Sequence, residues 1–202
     1  MTIVTLCGSP VPGTPAGNLL AYVGEWLGYN GHAVQSLAVS DLPAEDLLRG
    51  RAEAGAIAAA VATVAAARGV IVATPVYKAA YSGALKALID LLPDDTLHDK
   101  VVLPLAVGGN PAHQLTLHYA LKPVLDAAGV RTVLSSLYVG DKHLRVRDDG
   151  LLVLDPGIES RIAASLARLL GALASPSAEA AEAPPVVLKP IPRSARTVRC
   201  GA

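Results

Sequence analysis

The sequence predicts an α/β fold in which a five-stranded parallel sheet carries helices on both faces. Five apolar, β-branched segments alternate with segments of helical periodicity. The first segment, residues 2–7, shows little alternation and residues 69–73 are continuously apolar, as expected of parallel strands buried on both faces. Loops rich in Gly, Pro and small residues follow them, at the edge where open α/β sheets bind ligands. Two strand orders are open, the six-stranded dinucleotide order and 2-1-3-4-5, and five strands favour the second.

Composition limits the function classes. The chain has 202 residues, of which 52% are hydrophobic and 17% charged, and this suits one domain with a large core. Lys plus Arg and Asp plus Glu both number 17, so the net charge is zero and no basic field attracts nucleic acid. We expect no membrane span, because no unbroken apolar run of about 18 residues occurs. The N-terminal residues do not resemble a signal peptide.

The cysteines and histidines indicate no metal site. Cys7 and Cys200 lie near opposite ends of the chain, without metal-ligand spacing or a disulfide framework. Cys7 is interpreted as a small buried residue at a strand end. The five histidines do not cluster as metal ligands, and no Ser-His-Asp constellation is visible. We therefore predict a cytoplasmic protein, and we name no catalytic residue.

The first strand is predicted over residues 2–7, and residues 8–18, hereafter the first loop, contain three prolines and three glycines. A helix with apolar spacing from Leu19 to Leu27 follows. This order is a phosphate-binding arrangement, because backbone amides and the positive end of the helix dipole face the loop. Gly-x-Gly-x-x-Gly and the Walker lysine pattern are absent, so the first loop is neither a Rossmann fingerprint nor a P-loop.

The next elements are a second strand, a short capped helix, an alanine-rich helix and a third strand. They are predicted over residues 32–39, 41–48 (starting near Asp41 or Leu42), 52–67 and 70–74.

The third strand leads into an aromatic loop. Pro75 has no amide hydrogen and is expected to end the strand. Tyr77 and Tyr81 lie in this loop, although the chain has only six Tyr, one Trp and no Phe. Ser82 is expected to be the N-cap of a helix over residues 82–92. Such a loop suits a flat ligand ring with polar edges, and the alternative is a connection that only packs.

The second half of the chain completes the sheet. Its predicted elements are a strand over 100–107 that contains Pro104, a Gly-Gly loop over 108–113, a helix over 114–128 interrupted by Pro123, a strand over 130–139, a charged turn-rich segment over 140–150 and a helix over 158–173. Residues 1–174 are expected to form the domain. Residues 175–202, rich in Ala and Pro, are expected to be a mobile tail or a partner-wrapping arm.

The predicted strand order brings three loops to one crevice. In the order 2-1-3-4-5 the first strand lies beside the third, so the first loop and the aromatic loop flank the switch point. The Gly-Gly loop lies next to them. A phosphate-binding end, an aromatic loop and a Gly-Gly loop together indicate a mononucleotide site for a bulky ring.

Three segments resemble the NADPH-dependent FMN reductases. They are Thr-Leu-Cys-Gly-Ser-Pro at residues 5–10, Ala-Thr-Pro-Val-Tyr-Lys-Ala-Ala-Tyr-Ser-Gly-Ala-Leu-Lys at residues 73–86, and Val-Val-Leu-Pro-Leu-Ala at residues 101–106 with Gly-Gly at 108–109. The resemblance covers residues 1–173 and is greatest to the flavin reductases of two-component alkanesulfonate monooxygenase systems. It implies a flavodoxin-like fold, a homodimer or homotetramer, and reduction of FMN by NADPH or NADH.

The resemblance also assigns site residues. It implies that the FMN phosphate is held by the first loop and the ring by the aromatic and Gly-Gly loops. The implied cofactor-binding residues are Ser9, Thr14, Asn18, Pro75, Val76, Tyr77, Ser82, Gly108, Gly109 and His113. The chain departs from the family pattern in the first loop, which lacks the usual arginine and several serines. Phosphate binding then depends more on backbone amides and the helix dipole, and we expect weaker FMN retention.

Tyr119 matches a tyrosine that accompanies a π-bulge at the subunit interface of the alkanesulfonate-type reductases. Pro123 independently predicts broken helical pairing, because its missing amide would have bonded the carbonyl of Tyr119. The alternative is an ordinary tyrosine packed on a proline-kinked helix.

Three functions compete at this point. The first is reduction of free FMN by NAD(P)H for a flavin-dependent monooxygenase partner. The second is an enzyme with bound FMN that reduces quinones, azo dyes or metal ions. The third is a flavodoxin-like electron carrier, which is disfavoured because the chain has no acidic excess.

Overall fold

The computed structural model describes residues 1–147 and 152–174, so the predicted tail over 175–202 lies outside the described residues. Its strands are β1 Thr2–Cys7, β2 Ala33–Ala38, β3 Gly69–Tyr77, β4 Ala80–Tyr81, β5 Val101–Gly108, β6 Thr132–Val133, β7 Leu137–Gly140, β8 Leu144–Val146 and β9 Leu152–Leu154. Its α-helices are α1 Pro15–Tyr29, α2 Ala44–Leu48, α3 Gly55–Ala66, α4 Gly83–Ile89, α5 Lys122–Ala127 and α6 Pro156–Ala174.

The main sheet has the predicted order. β2, β1, β3 and β5 are neighbours in that order, and both β6 and β7 pair in parallel with the far side of β5. Because β6 and β7 are two pieces of one strand, the order is 2-1-3-4-5 and the fold is flavodoxin-like. The apolar core lies on both faces of this sheet. Helices α1 and α6 cover one face, and α2, α3, α4 and α5 cover the other. Within the described residues, no helix has the length and apolar character needed to cross a bilayer.

The prediction that Pro75 ends the third strand is wrong. β3 continues to Tyr77, and Pro75 pairs with Val107 of β5. The carbonyl of Ala73 accepts a hydrogen bond from the amide of Gly8, on the β1 side. Since alternate residues of a strand direct their polar groups to the same side, the missing amide of Pro75 also faces that side. The strand pairing of β1 ends at Cys7, so no ladder bond is lost there.

Pro104 explains why the fifth strand is split, where the sequence predicted one strand over 130–139. The carbonyl of Val102 accepts from the amide of Leu134, so Val102 and, two residues later, Pro104 face the fifth strand. Pro104 cannot donate there. β6 ends at Val133 and β7 begins at Leu137, with the interruption opposite this proline.

The helices differ from the sequence prediction in two places. α2 starts at Ala44 after a 3₁₀ turn over Val39–Asp41, and no side chain caps it, so the prediction of a capped helix that starts near Asp41 or Leu42 is wrong. The segment predicted as one helix over 114–128 follows a 3₁₀ turn, Pro111–Gln114, and contains a π-helical turn, Leu117–Leu121, before α5. The expected break near Pro123 is therefore present.

Two hairpins were not predicted. β4 folds back on the end of β3, and β8, which lies in the segment interpreted as charged and turn-rich, pairs antiparallel with β9 beyond that segment. The β3–β4 hairpin lies at the carboxyl edge of the sheet and shapes the site described below.

A buried lysine ends α3. Lys100 is 5% exposed, and its ammonium donates to the carbonyls of Ala65 and Ala67, each at 2.8 Å. Helix C-termini leave such carbonyls without intrahelical partners. Burial lowers the pKa of Lys100, while Asp99 at 3.8 Å acts in the opposite direction. The ammonium of Lys100 thus loses its contact with water and gains hydrogen bonds to the carbonyls at the end of α3.

Candidate functional site

The first loop is tied to the end of β3 as the sequence predicted. The amide of Gly8 donates to the carbonyl of Ala73 at 2.7 Å, and the hydroxyl of Ser82 donates to the carbonyl of Gly8. A Cβ at Gly8 would lie 2.9 Å from Leu85 and 3.2 Å from the Ala73 oxygen, so only glycine fits. Ser82 also accepts from the Leu85 amide at 3.1 Å, which confirms it as the N-cap of α4.

The aromatic loop is a tight β-hairpin. Val76 pairs with Tyr81 and Tyr77 with Ala80, and two residues, Lys78 and Ala79, form the turn. Their φ angles are 49° and 61°. A turn with two positive φ angles has the type I′ twist that suits a hairpin. Tyr77 is 46% exposed at this edge.

Gly108 is the point where the hairpin meets the Gly-Gly loop. A Cβ added there would lie 2.9 Å from Nδ1 of His113 and 3.4 Å from both the Val76 Cβ and the Tyr138 hydroxyl. The absence of a side chain at Gly108 therefore lets three elements close around its backbone. Asn110 shapes the loop, because its side-chain oxygen accepts from the Ala112 amide at 2.9 Å and caps the 3₁₀ turn.

The two ring nitrogens of His113 have different surroundings. Its Nδ1 is buried and has no hydrogen-bond partner within the described residues. Nε2 is not buried in this way, so it is the ring nitrogen that a ligand can reach. His113 can therefore donate from Nε2 to a ligand while its other edge packs on Gly108.

Sequence reasoning missed two residues of this cluster, Tyr138 and Asp141. The Tyr138 hydroxyl lies within hydrogen-bond distance of the carbonyls of Gly108 and Asn110, the second at 2.8 Å. Burial raises the pKa of Tyr138, and Asp141 raises it further. A Cβ at Gly109 would lie 3.3 Å from the Asp141 carboxylate. Tyr138 could have been found only from the register of the fifth strand against β5. Gly140 pairs with Gly108, and Tyr138 lies two residues earlier on the same strand.

Side chains of the first loop form hydrogen bonds with its own backbone and with the start of α1. Ser9 is fully buried, and its hydroxyl donates to the Val11 carbonyl at 2.8 Å and accepts from the Val11 amide at 3.2 Å. Thr14 is the N-cap of α1 and accepts from the Gly17 amide at 3.5 Å. Asn18 lies in the first turn of α1. Ser9 and Ser82 thus have structural bonds, while the side chain of Asn18 makes no hydrogen bond within the described residues.

A cavity of about 330 Å³ adjoins the first loop, between α1 and the end of β2. Thr14 and Asn18 line it together with Cys7, Ser40 and Asp41, and no lysine or arginine does. Burial raises the pKa of the Cys7 thiol, Asp41 also raises it, and the Ser9 amide partly offsets them. The thiol therefore stays protonated at neutral pH and is a poor nucleophile. Among the residues that the structure describes, no cluster of His, Cys, Asp and Glu could hold a metal ion.

Comparison with known proteins identifies the family. The sequence model of the NADPH-dependent FMN reductases matches residues 1–143. The chain belongs to this family. It is 44% identical over 144 residues to an FMN reductase (NADPH) of Pseudomonas putida, covering 71% of this chain and 73% of the relative. A relative of the same name from Escherichia coli K12 is also 44% identical over 144 residues, covering 71% and 75%.

The fold comparison agrees. The apo crystal structure of NADH:FMN oxidoreductase (EmoB) superposes with a TM-score of 0.75 and 34% identity, covering 87% of this chain and 91% of that one. This FMN reductase is thus an oxidoreductase of flavodoxin-like fold that acts with FMN and a reduced nicotinamide nucleotide.

The described residues fit an FMN. Gly108 and Gly109 leave a strip of backbone without side chains, beside the buried unpaired edge of His113. The N-terminus of α1, with Thr14 and Asn18, suits the phosphate. Bound FMN supplies the chemistry by accepting hydride from the nicotinamide. The tasks of the chain are to hold the ring, to orient it and to exclude water.

Proposed function

We propose that this FMN reductase uses FMN as a dissociable substrate and supplies reduced FMN to a two-component monooxygenase of the alkanesulfonate type. The observation that carries the proposal is the neutral first loop, which offers the phosphate no cationic side chain. An enzyme that delivers flavin must release it, and a weak hold on the phosphate favours release.

The electrostatics of the first loop support weak retention. The dipole of α1 contributes about 0.3–1 kcal/mol to an anion near an exposed helix N-terminus. Charge-assisted hydrogen bonds, such as an arginine would make with phosphate, are about twice as strong as neutral ones. Thr14 and Asn18 are neutral donors. Asp41 lines the adjoining cavity, where a negative side chain offers a phosphate no attraction.

The ring end of the proposed site is formed by the other two loops. We assign Pro75, Val76 and Tyr77 to one side of the flavin ring, and Gly108 and Gly109 to its edge. His113 donates to that edge from Nε2. Tyr77 is 46% exposed, so this side stays open to the nicotinamide of NADPH or NADH.

Tyr119 supports an oligomer. It lies in the middle of the π-helical turn and is 79% exposed, and Leu115 just before the turn is 50% exposed. Large exposed apolar groups of this kind mark interaction surfaces. We propose that this surface joins subunits in a homodimer or homotetramer.

The test is steady-state kinetics with FMN varied at saturating NADPH. If FMN is a dissociable substrate, the reduction rate saturates as the FMN concentration rises, and dialysis removes the yellow colour of the purified protein. The reduced FMN should also support turnover by an alkanesulfonate-type monooxygenase when the two proteins are separated by a dialysis membrane. Protein that keeps FMN through dialysis and reduces quinones or azo dyes without added FMN would contradict the proposal.

A further inference from the structure

We propose that Thr116 is a positioning residue, which holds the tip of the β3–β4 hairpin through its hydroxyl and so sets where Tyr77 stands for flavin binding. The inference rests on the proposed flavin site, because Tyr77 matters only if the hairpin lines it.

The two residues of the hairpin turn have backbone angles that their residue types disfavour. Lys78 and Ala79 have φ angles of 49° and 61°, in the left-handed region that side chains with a Cβ disfavour. Turns of this type are usually Asn-Gly or Gly-Gly, since both central residues need positive φ. Lys-Ala therefore needs an external contact to keep the turn in place.

Thr116 provides that contact. Its side-chain hydroxyl donates to the carbonyl of Ala79 at 3.0 Å, and Thr116 itself is only 3% exposed. Thr116 makes no side-chain cap of the helical turn that follows it. Its hydroxyl is thus committed to the hairpin, across 37 residues of sequence.

Thr116 lies between a core residue and the hairpin. Leu117, next to Thr116, is 2% exposed and packs in the core, and it begins the π-helical turn. Tyr77 pairs with Ala80, directly after the anchored residue. The hydrogen bond from Thr116 is therefore a polar link between the start of the π-helical turn and the flavin-contacting side of the site, beside the packing of β4 against that turn.

The experiment removes the hydroxyl and keeps the shape. Thr116→Val lacks the bond, and Thr116→Ser retains it. The matched control is Thr63→Val, because the Thr63 hydroxyl also donates to a backbone carbonyl, that of Ala59 at 2.8 Å, in a helix far along the chain. Two readouts are measured: the KM for FMN against kcat, and the rate of tryptic cleavage after Lys78, which is exposed at the hairpin tip.

We expect Thr116→Val to raise the KM for FMN and the cleavage rate about 2- to 12-fold, the range for one lost hydrogen bond. The melting temperature should change no more than in Thr63→Val. Thr116→Ser should behave as wild type. Adding Ala79→Gly to Thr116→Val should restore both values in part, because glycine adopts positive φ freely.

Two results would overturn the inference: unchanged KM and cleavage in Thr116→Val, or a Thr116→Ser variant as impaired as Thr116→Val. Tyr77→Ala separates this failure from failure of the proposed site. If Tyr77→Ala weakens FMN binding while Thr116→Val changes nothing, the hairpin lines the site and only the anchor is wrong. If Tyr77→Ala binds FMN normally, the proposed site itself is wrong.

Discussion

Gly108→Ala tests the most crowded point of the proposed site. The new Cβ would lie 2.9 Å from His113 Nδ1, while ordinary contacts begin at 3.4 Å, so the ring must retreat by about 0.5 Å. Overpacking of this kind costs about 1–3 kcal/mol of stability. At about 2–4 °C per kcal/mol for a chain of this size, the melting temperature falls by several degrees.

The same displacement weakens FMN binding. We expect it to break the proposed hydrogen bond from His113 Nε2 to the flavin, worth about 0.5–1.5 kcal/mol, and so to raise the Kd for FMN about 2- to 12-fold. Fluorescence titration at 25 °C measures the Kd, and thermal denaturation measures the stability. Gly157→Ala is the control, because no atom lies within 4 Å of its added Cβ. A Gly108→Ala variant with wild-type affinity and melting temperature would refute both the close packing around Gly108 and the proposed donor role of His113.

Three further predictions concern other parts of the chain. Lys100→Ala leaves the carbonyls of the α3 end unpaired and should cost about 1–3 kcal/mol in urea unfolding, whereas Lys122→Ala, which breaks an exposed pair with Asp126, should cost about 0.5 kcal/mol or less. Tyr119→Ala should retain FMN more firmly, shift the oligomer equilibrium in gel filtration and slow turnover of free FMN; a colourless variant with wild-type turnover would contradict this. Deletion of residues 175–202 should leave the NADPH:FMN activity within about twofold, since this segment has little apolar surface to bury.

The sequence predicted the sheet order and the meeting of three loops, because buried parallel strands have a distinctive apolar pattern. It was wrong about Pro75, since a proline is tolerated where its nitrogen faces the side on which the neighbouring strand has ended. Pro104 also lies inside a predicted strand, over residues 100–107. The effect of this proline appears in the partner strand, which is split opposite it, and no local pattern in that strand predicts the split.

The sequence named some of the residues that the structure brings together at the carboxyl edge of the sheet. Gly108 and His113 were named, and the structure packs them together. Tyr138 and Thr116 were missed, because each acts on a loop that is distant in sequence, through a single hydroxyl. Such contacts depend on register and turn geometry. The Lys-Ala turn was also missed, since its residues carry no glycine or asparagine signal for positive φ.

The neutral first loop has a consequence for how the enzyme responds to its medium. Binding that depends on lysine or arginine weakens as salt shortens the Debye length from about 30 Å at 0.01 M to about 3 Å at 1 M. In the proposed site this loop offers the phosphate amides, a hydroxyl and a helix end, and the chain carries no net charge. The affinity for FMN, and with it the supply of reduced flavin, should therefore vary little with ionic strength.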